Sequence, residues 1–323
     1  LALAVDGASG NLNVTAGLLA YRGVGATGVD AQLRYDSIHA GSTDSGVGWR
    51  STLRDRFLYV KASGVELYQL GEPHFTFSID PAGGYLHPPG LNASLTDQGG
   101  GVYKIRFNAT GEVWAFSIVG PNTFVAQLDS VADRNGNKTT YAYDNTAALN
   151  DGHARLTSVT DSHGVVITVG NPSAPITGYT DSTGRSVGIT TNGSGDVSSI
   201  TDANGHNTLF EYASHLLTKV TTPAGRITVI GYTSGKVSSV KQVTNTGTLA
   251  GLTTTFAYTA FTGNPLLATT TVTDPSSHAS TYTYNTSDRI TKTTDALGQN
   301  RAKTYTAHLD VTTADDAMTL HNT

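Results

Sequence analysis

From residue 129 onward one unit of about twenty residues recurs, and this repeat constrains the fold more than any other feature of the chain. Each copy is an apolar β-type run, then Asp-x-x-Gly, then a second β-type run that closes near a tyrosine. The copies open at Asp133, Asp161, Asp181, Asp202, Asp274 and Asp295. Asp161 and Asp181 lie 20 residues apart, and Thr222 takes the same place 20 residues after Asp202. The step is 21 residues from Asp181 to Asp202 and from Asp274 to Asp295. Three residues on come Gly136, Gly164, Gly184, Gly205, Gly225 and Gly298, with Ser277 in the slot after Asp274. Seven residues further stand Tyr143, Tyr212, Tyr232, Tyr284 and Tyr305, while the copies at Asp161 and Asp181 carry Asn171 and Thr191 instead.

The pattern has a direct physical reading. An aspartate opens a turn by accepting a backbone N–H two residues on, and glycine supplies a positive φ. Each Asp-x-x-Gly is therefore expected to be a tight turn. The flanking segments alternate, as in Leu209-Phe210-Glu211-Tyr212 and Thr139-Thr140-Tyr141-Ala142-Tyr143, which suits strands with two unlike faces. One repeat is one hairpin. A lone hairpin is marginal in water, so ladder pairing with its neighbours and a shared buried face must hold it. The expected fold is all-β: a strip of antiparallel β-hairpins that twists and curls into a spiral or shell-like sheet as hairpins accumulate. The wider spacing between Val240 and Val272 predicts a longer hairpin. Its strand is Thr253–Tyr258, with loops at Asn245–Gly251 and Phe261–Pro265.

Residues 1–128 are β-rich without that period, and residues 129–323 are the repeat array, which gives two regions. Strand candidates in the first region include Asp30–Tyr35, Arg56–Val60, Val65–Tyr68, Phe75–Phe77 and Gly101–Phe107. Turn signals such as Pro81-Ala82-Gly83-Gly84 separate them. No segment shows helical periodicity with caps.

Composition excludes several classes. The net charge is −5 and no Lys/Arg cluster occurs, against a nucleic-acid partner. No apolar run reaches the ~18 residues of a membrane span. There is no cysteine, hence no disulfide, thiolate metal site or cysteine nucleophile. The opening Leu1–Val5 lacks the basic flank and longer apolar stretch of a signal peptide and reads as a processed or truncated start.

The sequence carries no recognisable catalytic constellation. The recurring Asp161, Asp181 and Asp202 should line one sheet edge, where turn formation accounts for them better than acid–base catalysis or calcium. Asp133-Arg134-Asn135-Gly136-Asn137, with Asp144, loosely echoes an EF-hand loop but has Lys138 where that loop needs glycine. The histidines show no metal spacing, and His163, His206 and His278 sit beside the turn glycines, where exposure is expected. No nucleophile elbow or phosphate loop is present. Asn192-Gly193-Ser194-Gly195 reads as a turn-rich connection. No catalytic residue, metal site or cofactor is assigned. Trp49 and Trp114, with Tyr103 and Phe107, are candidate ligand-stacking aromatics, though such residues more commonly fill a core. The periodic tyrosines read as cross-strand packing.

The repeat resembles the RHS/YD repeats of bacterial RHS and wall-associated proteins, which also occur in the shell component of insecticidal toxin complexes and in teneurins. The first region resembles the segment that precedes such repeats. The matching residues are Gly10-Asn11-Leu12, Leu33-Arg34-Tyr35-Asp36-Ser37, Gly46-Val47-Gly48-Trp49, and Asp133–Asn137 at the junction. The resemblance covers essentially the whole chain. It implies hairpins spiralling into a hollow shell, enclosing a C-terminal toxin domain in toxin-bearing members. The self-cleaving, shell-closing segment of those members has no counterpart in this sequence.

The expected role is a structural scaffold or shell of a secreted or surface bacterial protein, not an enzyme. Its expected partners are further RHS repeats or copies of itself through sheet edges, an enclosed toxin domain, or cell-surface glycans. The alternatives are a carbohydrate or cell-surface binding module and a self-assembling extracellular filament or lattice subunit.

Overall fold

The computed structural model describes residues 1–22, 28–39, 41, 43–69, 74–120, 122–148, 153–171, 175–262, 266–306, 309–316 and 321–322. Among them the one helical element is a single 3-10 turn at Thr52–Arg54, and everything else regular is strand. The chain divides into two compact units. The first comprises Leu1–Ala2, Thr15–Tyr35 and Ala40–Asn207, and the second Leu3–Val14, Asp36–His39 and Thr208–Thr323.

Strands β1 (Ala2–Val5), β2 (Leu12–Tyr21), β3 (Val29–Asp36) and β4 (Trp49–Ser51) form a sheet in that order. Period-two alternation sets its faces. In β3, Val29, Ala31, Leu33 and Tyr35 are buried, while Asp30, Gln32 and Arg34 point the other way. Tyr35 pairs with Trp49 across β3–β4, with ring centroids 5.5 Å apart.

The rest of the first region is a rolled sheet within the first unit. Its strands are β5 (Arg56–Lys61), β6 (Gly64–Gln69), β7 (Phe75–Ser78), β8 (Ala93–Gly99), β9 (Val102–Phe107), β10 (Val113–Ile118) and β11 (Val125–Ala132). The pairing order is β7-β6-β5-β11-β10-β9-β8. Strand β11 is the branch point. Its Val125–Gln127 half pairs with β5, and its Ser130–Ala132 half hands over to β12 (Lys138–Ala148). The sheet buries Leu58, Leu67, Phe77, Ile105, Phe116 and Leu128 in one cluster. Each such side chain removed from water contributes ~1.5–3 kcal/mol.

Within each unit, every strand from β12 onward pairs antiparallel with the next. In the first unit follow β13 (Ala154–Thr160), β14 (Val166–Gly170), β15 (Gly178–Asp181), β16 (Ser186–Thr191) and β17 (Val197–Thr201). In the second come β18 (Asn207–Ala213), β19 (Leu216–Thr221), β20 (Ile227–Thr233), β21 (Lys236–Asn245) and β22 (Ala250–Ala260). The series continues through β23 (Leu267–Thr273), β24 (Ala279–Tyr284), β25 (Ile290–Thr294), β26 (Asn300–Tyr305), β27 (Val311–Asp315) and β28 (His321–Asn322). This is the expected all-β run of hairpins, an extended sheet that follows chain order. The long hairpin is β21–β22, of 10 and 11 residues, with Thr253–Tyr258 inside β22. Of its predicted second loop, residues 263–265 lie outside the described residues.

Burial is uneven along the run. Val159, Ile167, Val169, Val187 and Ile189 are buried in the first unit, and Phe210, Leu217, Val220, Ile230 and Val237 in the second. Strands β25 to β27 bury no residue completely.

Candidate functional site

The repeated element is a five-residue turn with one geometry. At Asp202 the backbone N–H donates to His206 O (2.9 Å), and the Gly205 N–H returns to Asp202 O (2.9 Å). The carboxylate Oδ1 accepts from the N–H of Asn204 (2.8 Å) and of His206 (2.9 Å). The same bonds recur at Asp133, Asp161, Asp181, Asp274 and Asp295. Gly136, Gly164, Gly184, Gly205, Gly225 and Gly298 hold φ between 74° and 92°, and Ser277 is forced to 67°. At Thr222 the hydroxyl replaces the carboxylate and accepts the Arg226 N–H at 3.2 Å.

Electrostatics follow from those donors. The side-chain bond from Asn137 holds Asp133 below its ordinary pKa, and backbone N–H groups, that of His206 and that of His278, do the same for Asp202 and Asp274. At Asp181 burial pushes upward but is outweighed by bonds from Thr183 and Arg185, which bring the carboxyl to about 2. A carboxylate whose lone pairs are taken by its own turn has little capacity left for a cation. Among the described residues no group of three or more His, Cys, Asp or Glu side chains converges as a metal site.

Every Asp-x-x-Gly turn joins an odd strand to the next even one, so within each unit the turns share one edge of the sheet. The opposite edge carries turns of the same backbone geometry at Asn192 and Asn285. Asn192 has Gly195 and Asn285 has Asp288 in the glycine slot, with φ 83° and 58°. Outside the repeats, Asp80 makes the same turn with Gly83. Asn192 and Asn285 escape an Asp-x-x-Gly reading because asparagine supplies the same side-chain oxygen and aspartate tolerates a positive φ. His163, His206 and His278 project from the Asp edge, with 49%, 62% and 68% of their side chains exposed.

The tyrosines occupy a second fixed position. Each of Tyr143, Tyr212, Tyr232, Tyr284 and Tyr305 sits at a β-bulge, opposite Leu156, Leu217, Val237, Ile290 and Val311 in turn. Thr191 has the same bulge opposite Val197, without the ring. The hydroxyls of Tyr143, Tyr232 and Tyr305 donate to Leu128 O, Leu217 O and Ile290 O at 3.0, 3.0 and 2.8 Å. Tyr258 in the long hairpin reaches Val237 O at 2.7 Å. These four hydroxyls each tie their strand to the strand paired before it.

The motifs of the first region contact the repeats within each unit. In the second unit the Val237 N–H donates to Gly10 O (3.0 Å), and Asn11 Oδ1 accepts from Ser37 Oγ (2.9 Å). In the first unit the Val47 N–H donates to Gly195 O (2.9 Å), the Ile176 N–H to Asp44 O (2.7 Å) and Tyr179 Oη to Ser51 Oγ (2.9 Å). Asp44 is ion-paired with Arg54, both buried. Trp49 is fully buried, with no surface for a ligand. Trp114 is 7% exposed; its indole N–H donates to Glu112, and the Arg56 guanidinium lies 4.7 Å over its ring.

No helix among the described residues is long and apolar enough to cross a membrane. The family model described as RHS Repeat matches residues 192–227 and 263–299. No curated protein matches the chain. It is similar to the solved TcdB2-TccC3 lacking its hypervariable C-terminal region, at 11% identity and a TM-score of 0.38, over 94% of this chain and 16% of that one. It is similar to the TcdB2-TccC3-Cdc42 structure at 13% identity and TM-score 0.38, over 94% and 16%. It is also similar to the Photorhabdus luminescens Tc holotoxin pore with a TccC3 mutation, at 11% identity and TM-score 0.38, over 97% and 18%. This chain spans less than a fifth of the length of each.

Proposed function

We propose that this all-β run of hairpins, which the RHS Repeat model matches over residues 192–227 and 263–299, is a structural scaffold and a wall segment of a secreted or surface-displayed bacterial shell that encloses or displays a toxin or effector domain. The observation that carries this reading is the hairpin run itself. Strand follows strand with the turn and bulge at fixed positions, so repeats can be added without a change of topology. Strands such as β9 and β16 alternate buried apolar with more exposed positions, as a wall between two environments requires.

The partners in this reading are further RHS repeats and the enclosed domain. Strands β25 to β27 leave Ile290 and Val311 37% and 53% exposed, surface that a packed neighbour would cover. The location is the bacterial exterior or cell surface. Cryo-EM of the natural full-length assembly tests the proposal. A hollow particle with internal density is the expected result. Open strips joined edge to edge with their copies would replace it with a filament or lattice subunit.

A further inference from the structure

An open cleft of about 370 Å³ lies within the first unit, between the polar face of β3 and the rolled sheet. Its working residues are Gln32, Arg34, Asp55, Arg56, Glu112 and Trp114. Most of these side chains hydrogen-bond, and they alternate in kind: the guanidiniums of Arg34 and Arg56 only donate, and the carboxylates of Asp55 and Glu112 only accept. The groups are already placed. Glu112 is held by the indole N–H of Trp114, Arg56 lies over that ring, and the Gln32 amide donates to Asp30 at 2.6 Å. Asp55, with 11% of its side chain exposed, lies 3.6 Å from Arg56 Nε.

We propose that this cleft binds one neutral sugar residue. An anion would satisfy the arginines but face Asp30, Asp55 and Glu112, and a cation would meet Arg34 and Arg56. A vicinal diol suits both sets, because each hydroxyl donates to a carboxylate while accepting from a guanidinium or amide, with no charge brought in. The volume falls in the range of small-ligand sites, ~300–1,000 Å³. An apolar ligand would strand the charged lining unsolvated.

The test uses the full chain, titrated separately with glucose, galactose, mannose and N-acetylglucosamine while tryptophan emission is followed. Trp114 and the fully buried Trp49 are the only two tryptophans, so a ligand-dependent change reports the cleft. The expected result is saturable binding of at least one sugar, with a Kd of roughly millimolar order. Glu112→Gln and Arg34→Gln should each weaken it about tenfold or more, with the far-UV spectrum unchanged. Gln32→Ala, on a half-buried strand face, is the second variant if either of these unfolds. The methyl glycoside of the preferred sugar distinguishes sources: if it binds too, the site accepts a chain end, and if it does not, a free sugar. Absence of saturable binding by all four sugars overturns the proposal. So does binding that the variants leave intact, or tighter binding of inorganic phosphate or spermidine in the same assay.

Discussion

The hydroxyl of Tyr232 donates to the carbonyl oxygen of Leu217 at 3.0 Å, across fifteen residues of chain. The same fifteen-residue step joins Tyr143 to Leu128 and Tyr305 to Ile290. The tyrosine is therefore more than a filler of the sheet face. It bonds a carbonyl beside a bulge, where the ladder is interrupted.

Tyr232→Phe removes that hydroxyl and leaves the ring. The expected cost is ~0.5–1.5 kcal/mol, the net worth of one hydrogen bond. Urea denaturation followed by circular dichroism measures it. Tyr305→Phe should cost less, because that hydrogen bond is exposed and water can replace it. Equal losses at both positions would mean that burial does not set the worth of the bond.

The turns give a prediction of opposite sign at two copies. Gly205 holds φ +83° with open space where a Cβ would sit, so Gly205→Ala carries only the backbone strain of ~1–2 kcal/mol. Ser277 already bears that strain at φ 67°. Ser277→Gly should relieve it and stabilise by ~0.5–1 kcal/mol, less than the full strain because glycine also loosens the unfolded chain. Midpoint shifts in opposite directions are expected on thermal melting.

Asp55 sets the neutral-pH behaviour. Burial raises its carboxyl to about 6, against the smaller lowering effects of Arg56 and Arg34. A folded pKa above the unfolded ~3.9 means that its contribution is fully present below pH ~4 and is lost as pH rises through 6. The turn aspartates Asp133, Asp181, Asp202 and Asp274 run the other way, and their stabilisation is lost as pH falls below the ordinary carboxylate range. Asp55→Asn should therefore raise stability at pH 7 by on the order of 1–3 kcal/mol and flatten the profile between pH 4 and 7. The acid limb below pH 4 should stay. Denaturation midpoints at half-unit pH steps check both limbs.

How far the fold can be read from sequence depends on the range of the interaction. The Asp202 and Gly205 turn is legible because its donors, acceptor and positive φ lie within five residues. The long β21–β22 hairpin is legible for the same reason, from spacing and alternation. The Asn192 and Asn285 turns are chemically equivalent, yet Asn-x-x-Asp at 285 matches no single-residue pattern. The pairing of Tyr179 with Ser51 joins residues 128 apart, and nothing local announces it. The cleft is of this second kind. Trp114 is conspicuous as a residue, but Gln32, Arg34, Asp55 and Glu112 come together only when β3 is set against the rolled sheet.

Gly178 supplies the sharpest contrast between neighbours. It pairs with Gly188 across β15–β16, so the two positions share a sheet, a strand pair and a chemistry. Gly178 holds φ +150°, and a Cβ added there would lie 2.1 Å from the Val187 carbonyl oxygen. That neighbour is backbone and cannot swing aside. At Gly188 an added Cβ would meet Thr201 Cβ at 3.6 Å, ordinary contact. Gly178→Ala should therefore force β15 away from β16 and cost ~3 kcal/mol or more, combining overpacking with backbone strain. Gly188→Ala should change stability by less than ~1 kcal/mol. Because Tyr179, adjacent to Gly178, holds Ser51, the Gly178 variant should also loosen the β4 segment. Hydrogen exchange would then rise at Trp49–Ser51 in Gly178→Ala and not in Gly188→Ala. Equal exchange in both variants would mean that β4 is held independently of β15.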